Sequence, residues 1–246
     1  MVGFLNVPEL YDDEFDPEHH FLVGGGDDSA AAIREASVEV NPYSAMLDAS
    51  FRDYMVFDGP DAVDDIDLLL GDTSLQWDLP VIYLGAGLIS PSNTRPIGEA
   101  YDLGEVPEPH SVWYVGARSF SRNERDWARH NQRFLPLHDV DISVGLCTAI
   151  GELNHSPFRL MLNVDVIDAV WTPAVHHPAS LGVSPRELWQ ALKVLDGTEA
   201  AVIQVCGVKA GAEDASQAVA QTARVAAEFA RDICLRVWQN KKPSLA

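Results

Sequence analysis

Cysteine is scarce in this chain. The three cysteines, Cys147, Cys206 and Cys234, lie far apart in the sequence, and their number is odd. They match neither a disulfide framework nor the paired spacing of a zinc site. This scarcity argues against a disulfide-stapled secreted scaffold, and we predict a protein of the reducing cytoplasm.

Basic residues and long apolar runs are also few. The 17 Lys and Arg residues stand against 37 Asp and Glu residues, which gives a formal net charge of −20. Nucleic acids and anionic membranes attract basic surfaces, so this balance disfavours both as partners. No apolar run reaches the roughly 18 residues of a membrane helix, and no secretory segment opens the chain. We interpret the acidic excess mainly as a solvated surface.

What the sequence does contain is a regular alternation of strand-like and helix-like segments. The 246 residues, 47% of them hydrophobic, can bury one sizeable core. Apolar segments such as "VIYLGAGLI", "FRLMLNVDVID" and "AAVIQVCGV" alternate with helical patterns, the longest from Asp214 to Trp238. This pattern predicts one α/β domain over residues 1–246, with an acidic N-terminal segment at 1–19 and three αβα layers. We expect a mainly parallel sheet of about six to eight strands.

Polar residues gather where several predicted strands end. The segments are "GGGDDS" from residue 24, "DASFRD" from 48, "NVDVID" from 163 and "GVKAG" from 207. Ligands of parallel sheets bind at the carboxyl ends of the strands, so these ends are the candidate site. We also expect "YSAMLDAS" to form a strand, Asp28 or Ser29 to cap the first helix, and Ser184 with Pro185 to start another.

These strand ends resemble the motifs of the arginase/agmatinase superfamily, the ureohydrolases. That family carries G-G-D-H-S after one strand, D-A-H-x-D after the next and S-x-D-x-D-x-x-D-P later. Here Gly25–Ser29 is similar to the first motif, Asp48–Arg52 to the second and Asn163–Asp165 to the third. The resemblance covers roughly residues 20–240 and implies an arginase-like fold that is shortened at its N-terminus.

The metal ligands are where the chain departs from the family, which binds two Mn²⁺ ions through six motif residues. Carried over position by position, those six become Asp28, Asp48, Ser50, Arg52, Asn163 and Asp165. Ser50 and Asn163 are neutral, and the guanidinium of Arg52 does not lose its proton and cannot ligate. Arg52 can instead pair with the remaining carboxylates and supply the positive charge of the lost metals. We therefore predict no metal and no other cofactor.

The substrate side of the resemblance has changed as well. The family's glutamate that holds a guanidinium group aligns best with Gly207, and neither neighbour of Gly207 is acidic. A Gly-Thr pair of the family is replaced by His176 and His177, which could act as general bases or bind a transition metal. Asp168 lies beyond the ligand positions, and we interpret it as a residue that shapes the loop.

Three functions from different classes remain open. The first is a non-catalytic ureohydrolase-like scaffold, regulatory subunit or small-molecule binder. The second is a metal-free enzyme that uses Asp48, Arg52, His176 and His177. The third is a C–N hydrolase of a guanidino or amidino compound with a shifted metal site built from Asp28, Asp48, Asp165 and a histidine. By the resemblance we also expect a homo-oligomer, a trimer or hexamer, or a hetero-oligomer with a related chain.

Overall fold

A computed structural model describes residues 22–24, 27–37, 40, 43–44, 49–50, 55–57, 68–71, 79–90, 96–103, 107–108, 110–196, 198, 200–211 and 216–241. Its central feature is a sheet of eight strands in which every neighbouring pair is parallel. The strands are β1 Leu22–Gly24, β4 Met55–Phe57, β5 Leu68–Leu70, β6 Val81–Leu84, β7 Val112–Val115, β8 Arg133–Leu135, β9 Phe158–Asn163 and β10 Ala200–Cys206. Two further strands, β2 Tyr43–Ser44 and β3 Ala49–Ser50, form a separate antiparallel ladder.

Helices cover both faces of this sheet. They are α1 Asp28–Ser37, α2 Ile97–Leu103, α3 Arg122–Asn131, α4 Ile142–Leu153, α5 Pro185–Ala191 and α6 Gln217–Lys241. Apolar residues of α1, α4, α5 and α6 share one buried cluster with one face of the sheet, and residues of α2 and α3 share another with the opposite face. The predicted three-layer α/β architecture is therefore confirmed.

The middle of the sheet positions the candidate site. The strand order is β4-β1-β5-β10-β9-β6-β7-β8, so β9 lies between β10 and β6. All six residues of β9 are buried. Leu160 and Leu162 enter one apolar cluster and Met161 enters the other, as side-chain alternation requires of a strand covered on both faces. Burial on both faces of β9 explains why this segment of the sequence is almost continuously apolar.

Two helix starts show how far local sequence signals reach. Ser184 accepts a hydrogen bond from the Glu187 amide, and Pro185 is the first residue of α5, so that predicted start is confirmed. The cap predicted for α1 is wrong by one residue. The Asp27 carboxylate accepts from the Ala30 amide at 2.7 Å, because the helix already begins at Asp28.

The strand predicted over "YSAMLDAS" is wrong as a strand of the main sheet. Its residues contribute to β2 and β3, which pair with each other and with no strand of the eight-stranded sheet. An apolar stretch of this length satisfies the pattern of either kind of strand, so the sequence could not separate them.

The longest helix is α6, which was predicted over 214–238 and lies over 217–241. Within the described ranges, no helix has both the length and the apolar composition that a bilayer span requires.

Candidate functional site

The carboxyl end of β9 brings Asn163 and Asp165 together. The Asn163 Oδ1 atom accepts a hydrogen bond from the Asp165 amide at 3.0 Å and so caps a short 3-10 turn, Val164–Val166. Asp165 is only 2% exposed, and its Oδ1 atom accepts from the Ala86 amide at 2.8 Å. Both side chains therefore hold the backbone at this edge of the sheet, and each has an oxygen engaged in doing so.

The strands on either side of β9 present glycines at the same level. Cys206 at the end of β10 is paired with Asn163, and Gly207 follows with a φ of +92°. A Cβ atom on Gly207 would overlap the Asn163 amide oxygen. Glycine is needed at 207 both for its positive φ and for the space that Asn163 takes. The best-aligned position of the family's glutamate thus has no room for a side chain.

The side chain of Tyr83, in β6, also lies close to Asn163 and Asp165. Its side chain has no exposed area, and a Cβ atom on Gly85 would overlap the phenol oxygen. Burial first, and then the negative charge of Asp165, raise the pKa of Tyr83 well above its usual value. The phenol is therefore neutral at every physiological pH and packs edge-on against Tyr114, with ring centroids 5.6 Å apart.

The loop after β9 is held from one side by Arg118, which follows β7. The guanidinium donates hydrogen bonds of 2.9–3.1 Å to five backbone carbonyls, those of Asp165, Val166, Ile167, Ala179 and Ser180. Burial lowers the pKa of Arg118, and the nearby Asp165 and Asp168 carboxylates oppose that shift. The arginine thereby gives a charged donor to five loop carbonyls, of which that of Val166 also accepts from Val183 N and that of Ile167 from Thr172 Oγ1.

Asp168 holds the same loop through its amides. Its Oδ1 atom accepts from Val170 N at 3.0 Å, and its Oδ2 atom accepts from Gly182 N at 3.1 Å. The backbone hydrogen bonds from Val170 and Gly182 are the largest causes that lower the pKa of Asp168. The predicted loop-shaping role of Asp168 is confirmed.

The other residues predicted from the sequence lie in different settings. Asp28 is exposed on the first turn of α1, and His176 and His177 are exposed on the loop between β9 and α5. That loop touches the end of β10, because Lys209 N donates to the Ala174 carbonyl at 2.9 Å. Ser50 is in β3, and Asp48 and Arg52 lie outside the described residues. Of the eight candidates, the structure joins Asn163 and Asp165 by a hydrogen bond.

Tyr83, Ala86 and Arg118 are part of this site and were missed by the sequence reasoning. The only signals were a strand ending in glycine at "YLGAG" and an arginine after a strand in "YVGARSF". Neither signal carries the identity of its partner, since Arg118 contacts backbone carbonyls that lie 47–62 residues away along the chain.

The described residues at this edge do not suit two manganese ions. Mn²⁺ prefers carboxylate and other hard oxygen ligands, whereas Asn163 is a neutral amide whose oxygen already accepts from the Asp165 backbone. Asp165 is the one carboxylate placed directly at the end of β9, and it shares an oxygen with Ala86 N. Among the residues that the structure describes, no three His, Cys, Asp or Glu side chains come together as a metal-binding group.

Sequence comparison places the chain in a known family. The arginase family matches residues 90–235, more than half of the chain, and the protein therefore belongs to the arginase family.

Two curated agmatinases are similar to the chain. That of Bacillus subtilis strain 168 is 25% identical over 174 residues, which is 69% of this chain and 55% of the relative's length. That of Bacillus anthracis is 22% identical over 246 residues, 83% of each chain. The match thus spans about half of one relative and most of the other.

Solved structures show the same fold. Proclavaminate amidino hydrolase from Streptomyces clavuligerus superposes with a TM-score of 0.65 at 18% identity, covering 96% of this chain and 97% of that one. A putative agmatinase from Clostridium difficile gives 0.68 at 15% identity, with 92% and 100% covered. Formimidoylglutamase from Bacillus subtilis gives 0.64 at 16% identity, with 97% of each chain covered. At these identities the likeness concerns the fold.

Proposed function

We propose that this protein is an arginase-family member that has lost the dinuclear manganese site and serves as a non-catalytic scaffold, regulatory subunit or small-molecule binder. The single observation that carries the proposal is Asn163. By the resemblance it stands where the family has a metal-binding aspartate, and its amide oxygen is fixed on the Asp165 backbone. The amide carries no negative charge that could offset the positive charge of a divalent ion.

The electrostatics of the β9 end support the same proposal. Asp165 is buried beside a neutral phenol and a neutral amide. A buried divalent cation must regain from charged ligands the several kcal/mol that leaving water costs each charge. One carboxylate with an oxygen already shared provides little of that, so we expect weak or no binding of Mn²⁺ by these residues.

Arg52 gives a separate account of the loss, which the proposed function does not require. It lies outside the described residues, and its role comes from the motif resemblance. A guanidinium at the second motif would repel a divalent ion about 4 Å away by several kcal/mol at an effective dielectric constant near 20. Arg52→Asp restores the family's residue at the aligned position. Should Arg52 supply the charge of the lost metals, Mn²⁺ would raise the melting temperature of Arg52→Asp and leave that of the wild type unchanged.

The test of the proposed function is metal content together with urea release. Protein purified without chelator is analysed by mass spectrometry for Mn, Ni and Zn, and is then incubated with Mn²⁺ and either agmatine or arginine. We expect far less than one metal ion per chain and no urea. Stoichiometric metal that disappears in Asp165→Ala, or urea formation lost in the same variant, would overturn the proposal.

The alternative is a C–N hydrolase of a guanidino or amidino compound with a shifted metal site. It is favoured by the exposed pair His176 and His177, on a loop that touches the end of β10, and by the two similar agmatinases. Loss of metal in His176→Ala and His177→Ala, together with Asp165→Ala, would establish it. A metal-free enzyme would instead bind substrate with no metal and lose turnover in the histidine variants.

Assembly and location are proposed on related grounds. The resemblance implies a trimer, a hexamer or a complex with a related chain, and a mass of 26.9 kDa by light scattering at micromolar concentration would contradict this. A reducing cytoplasm is consistent with Cys147, Cys206 and Cys234, which form no disulfide among the described residues.

A further inference from the structure

We infer that the wall of the candidate site next to Asn163 and Asp165 is the end of β6, from Tyr83 to Gly87, and that Tyr83 fills the volume which a metal-binding side chain at residue 85 would need. The inference deepens the proposed loss of the manganese site, on which it rests. It assigns to β6 the position that the motif resemblance gives to Asp48–Arg52.

The sheet itself places β6 there. β6 is the parallel neighbour of β9, with Leu84 opposite Leu162. The next residues, Gly85 and Asn163, are therefore side by side at the spacing of adjacent strands, about 4.8 Å. The Ala86 amide then donates to Asp165 at 2.8 Å. By contrast, β3, which contains Ser50, pairs with β2 and with no other strand in the part of the chain that the structure describes.

The sequence after β6 also retains part of the second motif. Residues 85–89 read G-A-G-L-I, which keeps the alanine of D-A-H-x-D and has no side chain that binds metal. Upstream, β5 is followed by G-D-T-S at 71–74, which is G-D-H-S without its histidine. Both segments precede "NVDVID" in the order of the family's motifs. In this register the lost ligands are Thr73, Gly85, Gly87 and Ile89.

Tyr83 explains why a ligand at residue 85 would not fit. A Cβ atom on Gly85 would overlap the oxygen and two ring carbons of Tyr83. The ring cannot easily move aside, because Tyr83 has no exposed area and contacts Tyr114. Gly87 is different, since a Cβ atom there would meet only the Ser119 carbonyl oxygen, at 3.8 Å. The turn therefore contains one crowded glycine and one matched control two residues away.

The first arm of the test is thermal stability. We expect Gly85→Ala to lower the melting temperature by about 5–10 °C, as overpacking of a core does, and Gly87→Ala to change it by less than about 2 °C. In a Tyr83→Leu background, which removes the ring, the Gly85→Ala loss should shrink by at least half. The double variant keeps the test usable if Gly85→Ala alone does not fold. Equal effects of the two alanines, or no rescue by Tyr83→Leu, would overturn the inference.

The second arm separates this inference from the proposed function. Mn²⁺ binding is measured by calorimetry for the wild type, Arg52→Asp and Arg52→Asp/Asp165→Asn. If the end of β6 forms this wall, none of the three proteins should bind Mn²⁺, because the end of β6 offers no ligands; the account in which Arg52 replaces the metals expects binding by Arg52→Asp instead. Binding by Arg52→Asp that Asp165→Asn abolishes would put the 48–52 segment at this wall and overturn the inference, while the proposed function would stand. Binding by the wild type at Asp165 would overturn the proposed function. The melting temperatures of the first arm would still test whether Tyr83 fills the space beside Gly85.

Discussion

Replacing Arg118 with methionine should strongly destabilise the protein. Methionine keeps much of the apolar stem and removes every donor to the five carbonyls between Asp165 and Ser180. Two of these carbonyls belong to the buried residues Asp165 and Val166, and a further one to Ile167. Without the guanidinium, these oxygens lose their charge-assisted partner. The Val166 carbonyl keeps a hydrogen bond of 3.3 Å from Val183 N, and the Ile167 carbonyl keeps a long one of 3.5 Å from Thr172 Oγ1, and neither of these donors is charged.

The magnitude follows from the geometry. A hydrogen bond to a charged group contributes about 1.5–3 kcal/mol, which would sum to roughly 7–15 kcal/mol for five. That sum is too large, because Nη2 makes three of the bonds with two hydrogens and water can reach part of the half-buried side chain. A loss of about 3–5 kcal/mol is the expected scale for breaking such a network. For a chain of this size it lowers the melting temperature by roughly 6–20 °C.

The assay is thermal unfolding together with amide hydrogen exchange of residues 164–183. Arg122→Met is the matched control, because the Arg122 side chain is 85% exposed and its ion pair with Asp126 is long, at 3.8 Å. Such surface pairs contribute about 0–1 kcal/mol. We expect faster exchange in the loop for Arg118→Met only. If Arg118→Met melts within about 2 °C of Arg122→Met, the carbonyl contacts do not hold the loop and the reasoning fails.

Three further predictions test single contacts. The backbone amides on Asp168 lower its folded pKa, so its stabilisation is complete above about pH 4 and is lost as pH falls through the folded value; melts of Asp168→Asn should therefore lose part of the wild-type acid dependence, and an unchanged profile would contradict this. Ser184→Ala removes the cap of α5 and should cost about 1 kcal/mol by urea unfolding, with Ser143→Ala, whose hydroxyl is not the cap of α4, nearly neutral. Raising KCl from 0.05 to 1 M should raise the melting temperature, since salt screens a net charge of −20; a flat response would show that repulsion between surface charges does not limit stability.

The sequence predicted those parts of the fold whose cause is local. The apolar run of β9, the periodic face of α6 and the Ser184–Pro185 start of α5 each follow from burial or capping within one segment. The errors arose where one residue or one pairing decides the outcome. The helix α1 begins at Asp28, so the residue before it, Asp27, provides the cap. Tyr43–Ser44 pairs with Ala49–Ser50 and not with the main sheet, because strand pairing depends on tertiary context that the apolar pattern of one segment does not contain.

The candidate site was predictable only in part, because its contacts are between distant backbone and side-chain atoms. The motif resemblance led to Asn163 and Asp165, and the structure does place them at the carboxyl end of a central strand. The motif resemblance did not indicate that the Asp165 carboxylate accepts from the Ala86 amide, 79 residues earlier. It also could not show that Tyr83 takes the space beside Gly85. Any residue except proline can donate its backbone amide, so the type of the donor residue does not reveal such a contact.

The charge balance at the end of β9 joins these observations. Asp165 carries one negative charge, and Arg118, whose guanidinium binds the Asp165 carbonyl at 2.9 Å, carries one positive charge. Asn163 and the Tyr83 phenol are neutral, and Gly85 and Gly207 add no side chains. A compact edge of this kind needs no cation to offset repulsion between carboxylates, because the described residues at the β9 end do not form a carboxylate cluster. In a metal site, the side-chain oxygens of Asn163 and Asp165 would be directed at the metal ion. Here they accept hydrogen bonds from backbone amides, so the proposed loss of manganese would cost this edge no stability.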